Sequence, residues 1–403
     1  MTTSIDAQYD QYLSAGLALD LTRGKPCSDQ LDLSCALEDM IAGNFKTADG
    51  TDARNYGGLL GIPDARALGG TLLDVDPKYI MAGGNSSLTL MYQFLVWRLK
   101  AWQKDDPTQT FKFICVVPGY DRHFTICEHL GIEMISVGFD ADGPNMTKIE
   151  ALVRQDQNIK GIWCVPKHSN PTGHTYSQAT VERLANLPNL AGKDFIIMWD
   201  NAYAAHDLDP RTMPLTNLMA RAQAAQTAHQ IALFASTSKI TFAGAGLAFC
   251  GLSEPMLQGF ETFLTPQMIG FDKVNQLRHA RLLKDSNDIA KHMAAHRVIL
   301  EPKFQRVQEK LMPLAEADLA TWSQPGGGYF VSLDLKAASA TQVIALANAA
   351  GVKLTPAGAT FPYGHDPEDK NIRIAPSFPD MMELDQALDV LVCCIVKASE
   401  MDR

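Results

Sequence analysis

The sequence predicts a two-domain α/β protein: a large domain on a mostly parallel sheet and a smaller α+β domain. The length of 403 residues suits two or three domains. Between residues 79 and 252, short apolar runs alternate with helical stretches. This pattern is typical of a sheet that is buried on both faces. From about residue 285, a long helical pattern and a strand pair replace the alternation.

The strands of the large domain are predicted from apolar runs that are rich in β-formers. They cover residues 111–117, 133–139, 160–166, 194–200, 231–236 and 247–252. Between them, residues 88–103 are predicted to form an amphipathic helix. Its apolar stripe consists of Leu88, Met91, Leu95, Leu99 and Trp102.

The last third of the chain has a mixed helix and strand pattern. A long helix is predicted over 286–314, with Ser286 and Asp288 near its start and Pro302 inside it. The remaining predicted elements are strands within 327–335 and 371–376 and helices over 340–350 and 380–398. The first 45 residues lack a sheet of their own and are expected to pack on the small domain. The predicted division is therefore 1–45, 46–285 and 286–403.

Charge and motif content exclude several classes of protein. The 35 Lys and Arg residues against 45 Asp and Glu residues give a net charge of −10, which argues against a protein that coats nucleic acid. No apolar run approaches the roughly 18 residues of a membrane span. The first 16 residues carry two Asp and no Lys or Arg, so no signal or transit peptide is predicted. The eight cysteines show no CxxC spacing, which indicates reduced thiols, a cytoplasmic location and no metal site.

Polar residues follow three predicted strands where each strand ends. Asp200 closes the run 194–200, Asn170 follows 160–166, and Lys239 follows 231–236. Taken singly, they are explained as well by a helix cap, a turn and a surface lysine. Because open α/β sheets bind ligands at the carboxyl ends of their strands, the three together predict a functional site.

The order and spacing of these residues resemble the fold-type I, class I aminotransferases, which depend on pyridoxal phosphate (PLP). In that family the strings SNPTG, DxAY and SxSK follow one another, as they do here around Asn170, Asp200 and Lys239. The resemblance extends over nearly the whole chain, through TRGKP, NYGGLLGIPDAR, QPGGGYF and NIRIAP. It implies the PLP-transferase fold with a seven-stranded sheet, and a homodimer with active sites at the subunit interface.

The resemblance gives five residues roles around the cofactor ring. Lys239 would hold PLP as an internal aldimine and then shuttle the proton of the substrate Cα. Asp200 would pair with the pyridine nitrogen and keep it protonated. Asn170 and Tyr203 would hydrogen-bond the phenolic oxygen, and Tyr120 would stack on the ring face. A packed loop aromatic is the alternative for Tyr120.

The cofactor phosphate needs backbone donors at a helix start. The string GGNSSL provides one, with Asn85, Ser86 and Ser87 opening the helix, although a plain helix cap remains an alternative. By resemblance, Ser236 is a further ligand, and Tyr56 reaches the phosphate of the neighbouring subunit. One position departs from the family: the arginine expected eight residues after Lys239 is replaced by Leu247. A compensating cation is therefore expected near the phosphate.

Arg373 lies between Ile372 and Ile374, so strand alternation turns it away from the buried isoleucine face. It matches the family arginine that grips the substrate α-carboxylate, and a surface strand residue is the alternative. Gly24 matches the glycine of the family's N-terminal substrate-binding segment. Four cations are candidates for a distal carboxylate, and the sequence does not choose among them: Arg23, Lys167, Lys273 and Arg278.

The expected reaction is ping-pong amino transfer from aspartate to 2-oxoglutarate. The strings LTRGKP, GGNSSL and STSKITFAGAGLAF resemble a divergent bacterial subgroup that is described as aspartate aminotransferases. Two alternatives remain: another PLP enzyme, such as a β-lyase, a decarboxylase or an aminotransferase of different range, and a PLP-binding transcription regulator. The regulator is disfavoured because the family pattern begins within the first 25 residues and leaves no room for a winged helix.

Overall fold

A computed structural model describes residues 4–209 and 211–401. The N-terminal segment contains α1 (Ile5–Ser14), β1 (Leu19–Asp20) and α2 (Ser28–Asp32). The elements that follow, up to residue 282, are α3 (Pro63–Leu73), β2 (Ile80–Ala82), α4 (Ser87–Asp105), β3 (Lys112–Val117), α5 (Asp121–His129), β4 (Glu133–Asp140), β5 (Gly143–Pro144), α6 (Met146–Gln155), β6 (Ile159–Cys164), α7 (Gln178–Asn186), β7 (Ile196–Asp200), α8 (Leu218–Ala224), β8 (Ile231–Ser236), β9 (Ala248–Leu252), α9 (Glu254–Leu264) and α10 (Lys273–Leu282).

The last third contains a long helix, a small sheet and two further helices. Its elements are α11 (Ser286–Glu316), β10 (Ala320–Trp322), β11 (Val331–Leu335), α12 (Ala340–Ala349), β12 (Val352–Lys353), β13 (Asn371–Ile374) and α13 (Met381–Met401). Asp285 caps α11, since its Oδ1 accepts from the backbone N–H groups of Asn287 at 2.8 Å and Asp288 at 3.0 Å. None of the described helices combines the length and apolar character that crossing a bilayer requires.

The large sheet confirms the predicted α/β class. Its strand order is β2-β9-β8-β7-β6-β3-β4-β5. β4, β3, β6, β7 and β8 run parallel, whereas β9 and the short β5 pair antiparallel with their neighbours. The two-residue β5 extends the seven predicted strands to eight. β3 pairs with β4 on one side and with β6 on the other, and the chain crosses back over β3 between these two strands. Ligands are expected at this reversal of strand order, where β3 and β6 end.

Apolar residues alternate across this sheet. In β7, Ile197 and Trp199 belong to the core on one face, and Ile196 and Met198 to the core on the other. Helices cover both cores, which explains why the strands read as continuous apolar runs and not as alternating patterns.

A third core lies between α11, α13 and the sheet β10-β11-β13. The N-terminal segment joins it: α1 packs against α13, and Leu19 of β1 pairs with Val352 of β12. Tyr203 and Leu208, from the part of the chain between β7 and β8, also belong to this core. The division at residues 45 and 285 stays a prediction, because this core takes residues from all three predicted segments.

Candidate active site

The carboxyl ends of β3, β6, β7 and β8 meet at a cavity of about 930 Å³. From the large domain, Asp200, Lys239 and Tyr120 line it. From the C-terminal third, Phe330 and Arg373 close the opposite side. Eight of the predicted site residues therefore face one space: Arg23, Gly24, Tyr120, Asn170, Asp200, Tyr203, Lys239 and Arg373.

Asp200 is the last residue of β7 and is only 3% exposed. It caps no helix. Its Oδ2 lies 3.0 Å from Nε2 of His123, and the His123 ring stacks on Trp163 with centroids 4.0 Å apart. Oδ1 is buried and has no hydrogen-bond partner within residues 4–209 and 211–401. A buried carboxylate oxygen without a donor is costly, so this atom is an open acceptor that points to a missing cationic donor.

Two phenols share this environment. Burial and the neighbouring Asp200 raise the pKa of Tyr120 to about 12. Burial also raises the pKa of Tyr203 well above its usual value. Both side chains therefore stay protonated at neutral pH and can donate a hydrogen bond.

Lys239 lies on a short turn after β8, in which the N–H groups of Ile240 and Thr241 both donate to the carbonyl of Thr237 at 2.8 Å. Its Nζ lies 5.2 Å from the centroid of the Tyr203 ring. Burial lowers the pKa of this amine, and the Asp200 carboxylate opposes that shift. Desolvation therefore increases the neutral, nucleophilic fraction of the lysine.

Arg373 of β13 faces the cavity, while its neighbours on the strand lie in the third core. Its Nη1 donates to Asp121 Oδ1 at 3.1 Å and to Asn170 Oδ1 at 3.4 Å. Nη2 donates to Thr355 Oγ1 at 3.2 Å and to the carbonyl of Thr22 at 3.4 Å. Its Nε is buried with no acceptor among the described residues. The guanidinium is therefore held in place and still has a donor for an incoming carboxylate.

Gly24 makes room for the aromatic ring beneath this arginine. A Cβ on Gly24 would lie 2.4 Å from Cζ of Phe330. That ring in turn lies 4.9 Å from the guanidinium carbon of Arg373. Any side chain at position 24 would therefore displace the ring on which Arg373 rests.

The predicted phosphate residues lie beside the Lys239 turn and do not line the main cavity. Ser86 is the N-cap of α4, yet its side chain makes no capping hydrogen bond. Asn85 Nδ2 donates to the carbonyl of Gly244 at 3.1 Å, and Ser238 Oγ donates to the carbonyl of Asn85 at 3.5 Å. Ser236 is the last residue of β8, and its hydroxyl accepts from the backbone N–H of Ser238 at 3.4 Å. Ser87 begins α4, and Tyr56 is 85% exposed on a separate loop.

Leu247 is 1% exposed and belongs to the core on one sheet face. Its backbone N–H donates to Oγ1 of Thr237 at 2.9 Å. The side chain at this position therefore packs inside the domain and makes no polar contact with a ligand.

The comparisons with known proteins agree on one family. The profile described as Aspartate amino-transferase matches residues 1–403. An aspartate aminotransferase of Corynebacterium glutamicum is 43% identical over 408 residues, which cover 98% of this chain and 93% of that protein. The chain belongs to the aspartate aminotransferase family.

Solved structures of aspartate aminotransferases confirm the fold. The aspartate transaminase of Corynebacterium glutamicum superposes with a TM-score of 0.94 at 42% identity, covering 99% of this chain and 96% of that one. The Thermus thermophilus aspartate aminotransferase with maleate gives a TM-score of 0.70 at 15% identity, with 98% and 97% covered. At that identity the likeness concerns the fold alone.

In this aspartate aminotransferase family member, two features could receive an anionic cofactor with a protonated ring. Asp200 Oδ1 is a buried acceptor without a donor, and the N-terminus of the 19-residue α4 opens with a serine that makes no capping bond. Within the residues that the structure describes, no cluster of three or more His, Cys, Asp or Glu side chains could hold a metal ion.

The structure separates the four candidate cations for a distal carboxylate. Only Arg23 lines the cavity. Lys167 Nζ is bound to Asp207 Oδ2 at 2.8 Å, and Lys273 Nζ to the carbonyl of Gly57 at 2.6 Å. Arg278 lies 3.7 Å from a Glu38 oxygen.

Several residues of the site were not predicted from the sequence. His123 lies in the first turn of α5, three positions after the N-cap Tyr120, and no local pattern in the sequence shows that it would contact Asp200. Arg122 and Asp121 also line the cavity, at the same helix start. Thr355 follows the two-residue β12 and has no recognisable pattern.

Proposed function

We propose that the protein is a PLP-dependent aminotransferase that transfers the amino group of aspartate to 2-oxoglutarate. The observation that carries this proposal is a single cavity lined by a carboxylate with an open acceptor, a desolvated lysine and a positioned arginine: Asp200, Lys239 and Arg373. Each supplies what one part of the reaction needs, and the three come from separate elements of the fold.

PLP, when bound, supplies an electron-accepting ring on which the amino group is exchanged. Asp200 would hold a proton at the ring nitrogen, and His123 fixes the orientation of that carboxylate. Nζ of Lys239 would hold the cofactor and, once free, would take the proton that leaves the substrate Cα and carry it to the acceptor position of the cofactor. Tyr203 and Asn170 would donate to its phenolic oxygen, and Tyr120 would cover its ring face; all three line the cavity.

Arg373 binds the α-carboxylate that amino acids and oxo acids have in common. The cavity offers a single arginine held in this way, so the donor and the acceptor occupy the same site in turn. Successive use of one site is the basis of a ping-pong mechanism. The Phe330 ring supports the guanidinium of Arg373, and Gly24 leaves room for that ring.

The preference for dicarboxylic substrates rests on further cations at the cavity mouth. Arg23, which follows β1, and Arg122, in the first turn of α5, are both exposed and line the cavity. Either guanidinium offers a fork for the distal carboxylate, which a shorter monocarboxylic substrate lacks. The 43% identical relative that is named aspartate aminotransferase supports this choice of substrate.

A panel of amino donors against 2-oxoglutarate tests the proposal. We expect aspartate to give the highest kcat/KM, by at least about tenfold over alanine, because a distal carboxylate adds a charged contact. Oxaloacetate and glutamate should form in equal amounts. Release of ammonia, pyruvate or carbon dioxide without formation of glutamate would identify a β-lyase or a decarboxylase instead.

The phosphate group is proposed to bind at the start of α4, between Asn85, Ser86, Ser87 and Ser236. Lys273 is the proposed replacement for the family arginine whose position Leu247 occupies. In support, α10 begins with Lys273, and Asn275 in its first turn donates to the carbonyl of Gly246 at 2.9 Å. The same helix start therefore contacts the loop that follows Lys239.

Removing the hydroxyls of Ser86 and Ser236 together is expected to raise the PLP dissociation constant by at least about tenfold. Each hydrogen bond to a charged group contributes about 1.5–3 kcal/mol. Fluorescence titration of the apoprotein with PLP measures the change. The control is Ser323→Ala. The Ser323 hydroxyl accepts from the backbone N–H of Ser332 at 3.0 Å in the small sheet, and its removal should leave the PLP dissociation constant unchanged. Unchanged affinity in the double variant would place the phosphate elsewhere.

A homodimer is proposed, with Tyr56 of each subunit directed to the phosphate of the other. Tyr56 is 85% exposed and Ile269 is 65% exposed, on two loops that touch through Gly57 and Gly270. Exposed large apolar side chains on adjoining loops are typical of an interface. Sedimentation equilibrium should give twice the mass of one chain, and a monomer would refute the proposal.

A reducing, cytoplasmic location is proposed from the cysteines. All eight are free thiols, and seven of them are buried, with Cys35 exposed. Quantification of thiols in the protein isolated under an alkylating agent should give eight per chain. A disulfide in the protein from its native cell would contradict this location.

A further inference from the structure

The main chain that carries Lys239 is held by four side chains that do not line the cavity: Tyr329, His206, His292 and His296. The carbonyl of Lys239 accepts from the hydroxyl of Tyr329 at 3.2 Å. It also lies 3.2 Å from Nε2 of His206. The carbonyl of Ile240 lies 2.9 Å from Nε2 of His296 and 2.7 Å from Nε2 of His292.

Gln30 connects two of these side chains. Its Nε2 donates to the Tyr329 hydroxyl at 2.8 Å and lies 3.0 Å from Nδ1 of His296. Its Oε1 accepts from the backbone N–H of Cys27 at 3.2 Å. Because a backbone N–H can only donate, this contact fixes which end of the amide is oxygen.

The orientation of Gln30 determines the proton positions in the cluster. Both hydrogens of the amide are used, one on Tyr329 and one on His296, so Nδ1 of His296 is an acceptor. The imidazole is then neutral, with its hydrogen on Nε2, and it donates to the carbonyl of Ile240. Burial lowers the pKa of His296 to about 4 and that of His206 to about 3, in agreement with neutral rings.

We propose that Tyr329, supported by Gln30, is a positioning residue that fixes the backbone turn of Lys239 and so keeps its amine aimed into the cavity. The cluster brings together residues from α2, from the loop before β11 and from α11. The next residue after Tyr329 is Phe330, which supports Arg373. Two consecutive residues therefore support the two parts of the site: Tyr329 contacts the backbone of Lys239, and Phe330 contacts the side chain of Arg373.

This inference rests on the proposed function only for its kinetic consequence. The effect of Tyr329 on the rigidity of the Lys239 turn can be measured on the apoprotein. Tyr329 is fully buried, and its ring packs against Tyr203 and His206 with centroids 6.2 and 5.7 Å away. Phenylalanine keeps the ring and removes only the hydroxyl, so Tyr329→Phe isolates the hydrogen bonds from the packing.

The test compares Tyr329→Phe with Tyr9→Phe. Tyr9 is also buried, and its hydroxyl donates to the carbonyl of Leu346 at 3.0 Å in the small-domain core. Tyr9→Phe loses one bond from a phenol to a carbonyl, whereas Tyr329→Phe also loses the bond from Gln30, so Tyr329→Phe should lose the more thermal stability. Only Tyr329→Phe should accelerate amide exchange in the peptide 237–241 of the apoprotein, by about tenfold. Only it should lower kcat, also by about tenfold, with KM for both substrates nearly unchanged.

A second variant protects the test against a folding defect. Gln30→Met removes the amide that holds Tyr329 and keeps a side chain of similar shape, and it should change exchange and kcat in the same direction. Unchanged exchange at 237–241 and unchanged kcat in folded Tyr329→Phe would overturn the inference. A wild-type protein that fails to transaminate would refute the proposed function, and the exchange measurement would still decide the role of Tyr329.

Discussion

Replacing Lys239 by alanine is expected to lower kcat by at least about 10⁴-fold, while the protein still binds PLP without a covalent bond. The amine is the group in the cavity that combines a lowered pKa with a place at the carboxyl end of β8. A positioned base contributes up to about 10⁴-fold by itself, and loss of the covalent attachment adds to this. Turnover of aspartate with 2-oxoglutarate, together with cofactor absorbance after borohydride reduction and dialysis, measures both consequences.

The control for this variant is Lys303→Met. Lys303 is equally a buried lysine, but it does not line the cavity, and its Nζ donates to the carbonyls of Ser377 at 2.9 Å and Pro379 at 2.7 Å. The Lys303 variant should lose stability and keep its covalently held cofactor. If the Lys239→Ala protein retains cofactor through reduction and dialysis, another lysine is the anchor and the assignment is wrong.

Replacing Arg373 by leucine is expected to weaken both half-reactions by the same free energy, about 2–5 kcal/mol. The guanidinium is buried, and it is held by Asp121, Asn170 and Thr355. Each substrate presents an α-carboxylate to it, so the loss is common to amino acids and oxo acids. Single-turnover rates of the two half-reactions, followed by the absorbance of the cofactor, measure the two losses separately.

Arg122→Leu is the matched comparison. Arg122 lines the same cavity but is exposed, so its loss should affect aspartate and 2-oxoglutarate and spare monocarboxylic substrates. Arg373→Leu should instead affect every substrate. An effect of Arg373→Leu that is confined to dicarboxylic substrates would make it the residue for the distal carboxylate.

Much of the site could be predicted from local pattern. Asp200, Asn170 and Lys239 each follow an apolar run, and parallel strands bring their carboxyl ends to one edge. Arg373 was predicted to face away from the core because side chains alternate along a strand, and Ile372 and Ile374 do lie in the third core. These predictions need only the period of a strand and the place where it ends.

The bonding partners of the site residues could not be predicted in this way. Nothing in the string PGYDRHF shows that His123 would meet Asp200, 77 residues later in the chain. The partners of Arg373 include Thr22, which is 351 residues away. Among the four cations considered for the distal carboxylate, three proved to be bound elsewhere, because their partners are set by packing and not by neighbouring sequence.

The sequence by itself determined the α/β class and the order of the strand-end residues, because both follow from the periodic burial of consecutive side chains. Only the tertiary structure decided that Leu247 is a core residue, that Asp200 Oδ1 lacks a donor, and that Tyr329 supports the carbonyl of Lys239. Each of these depends on atoms that are distant in sequence and lie within a few ångströms in the fold. Whether a polar atom is paired or left open is therefore settled when the sheet, the long helix and the N-terminal segment pack together.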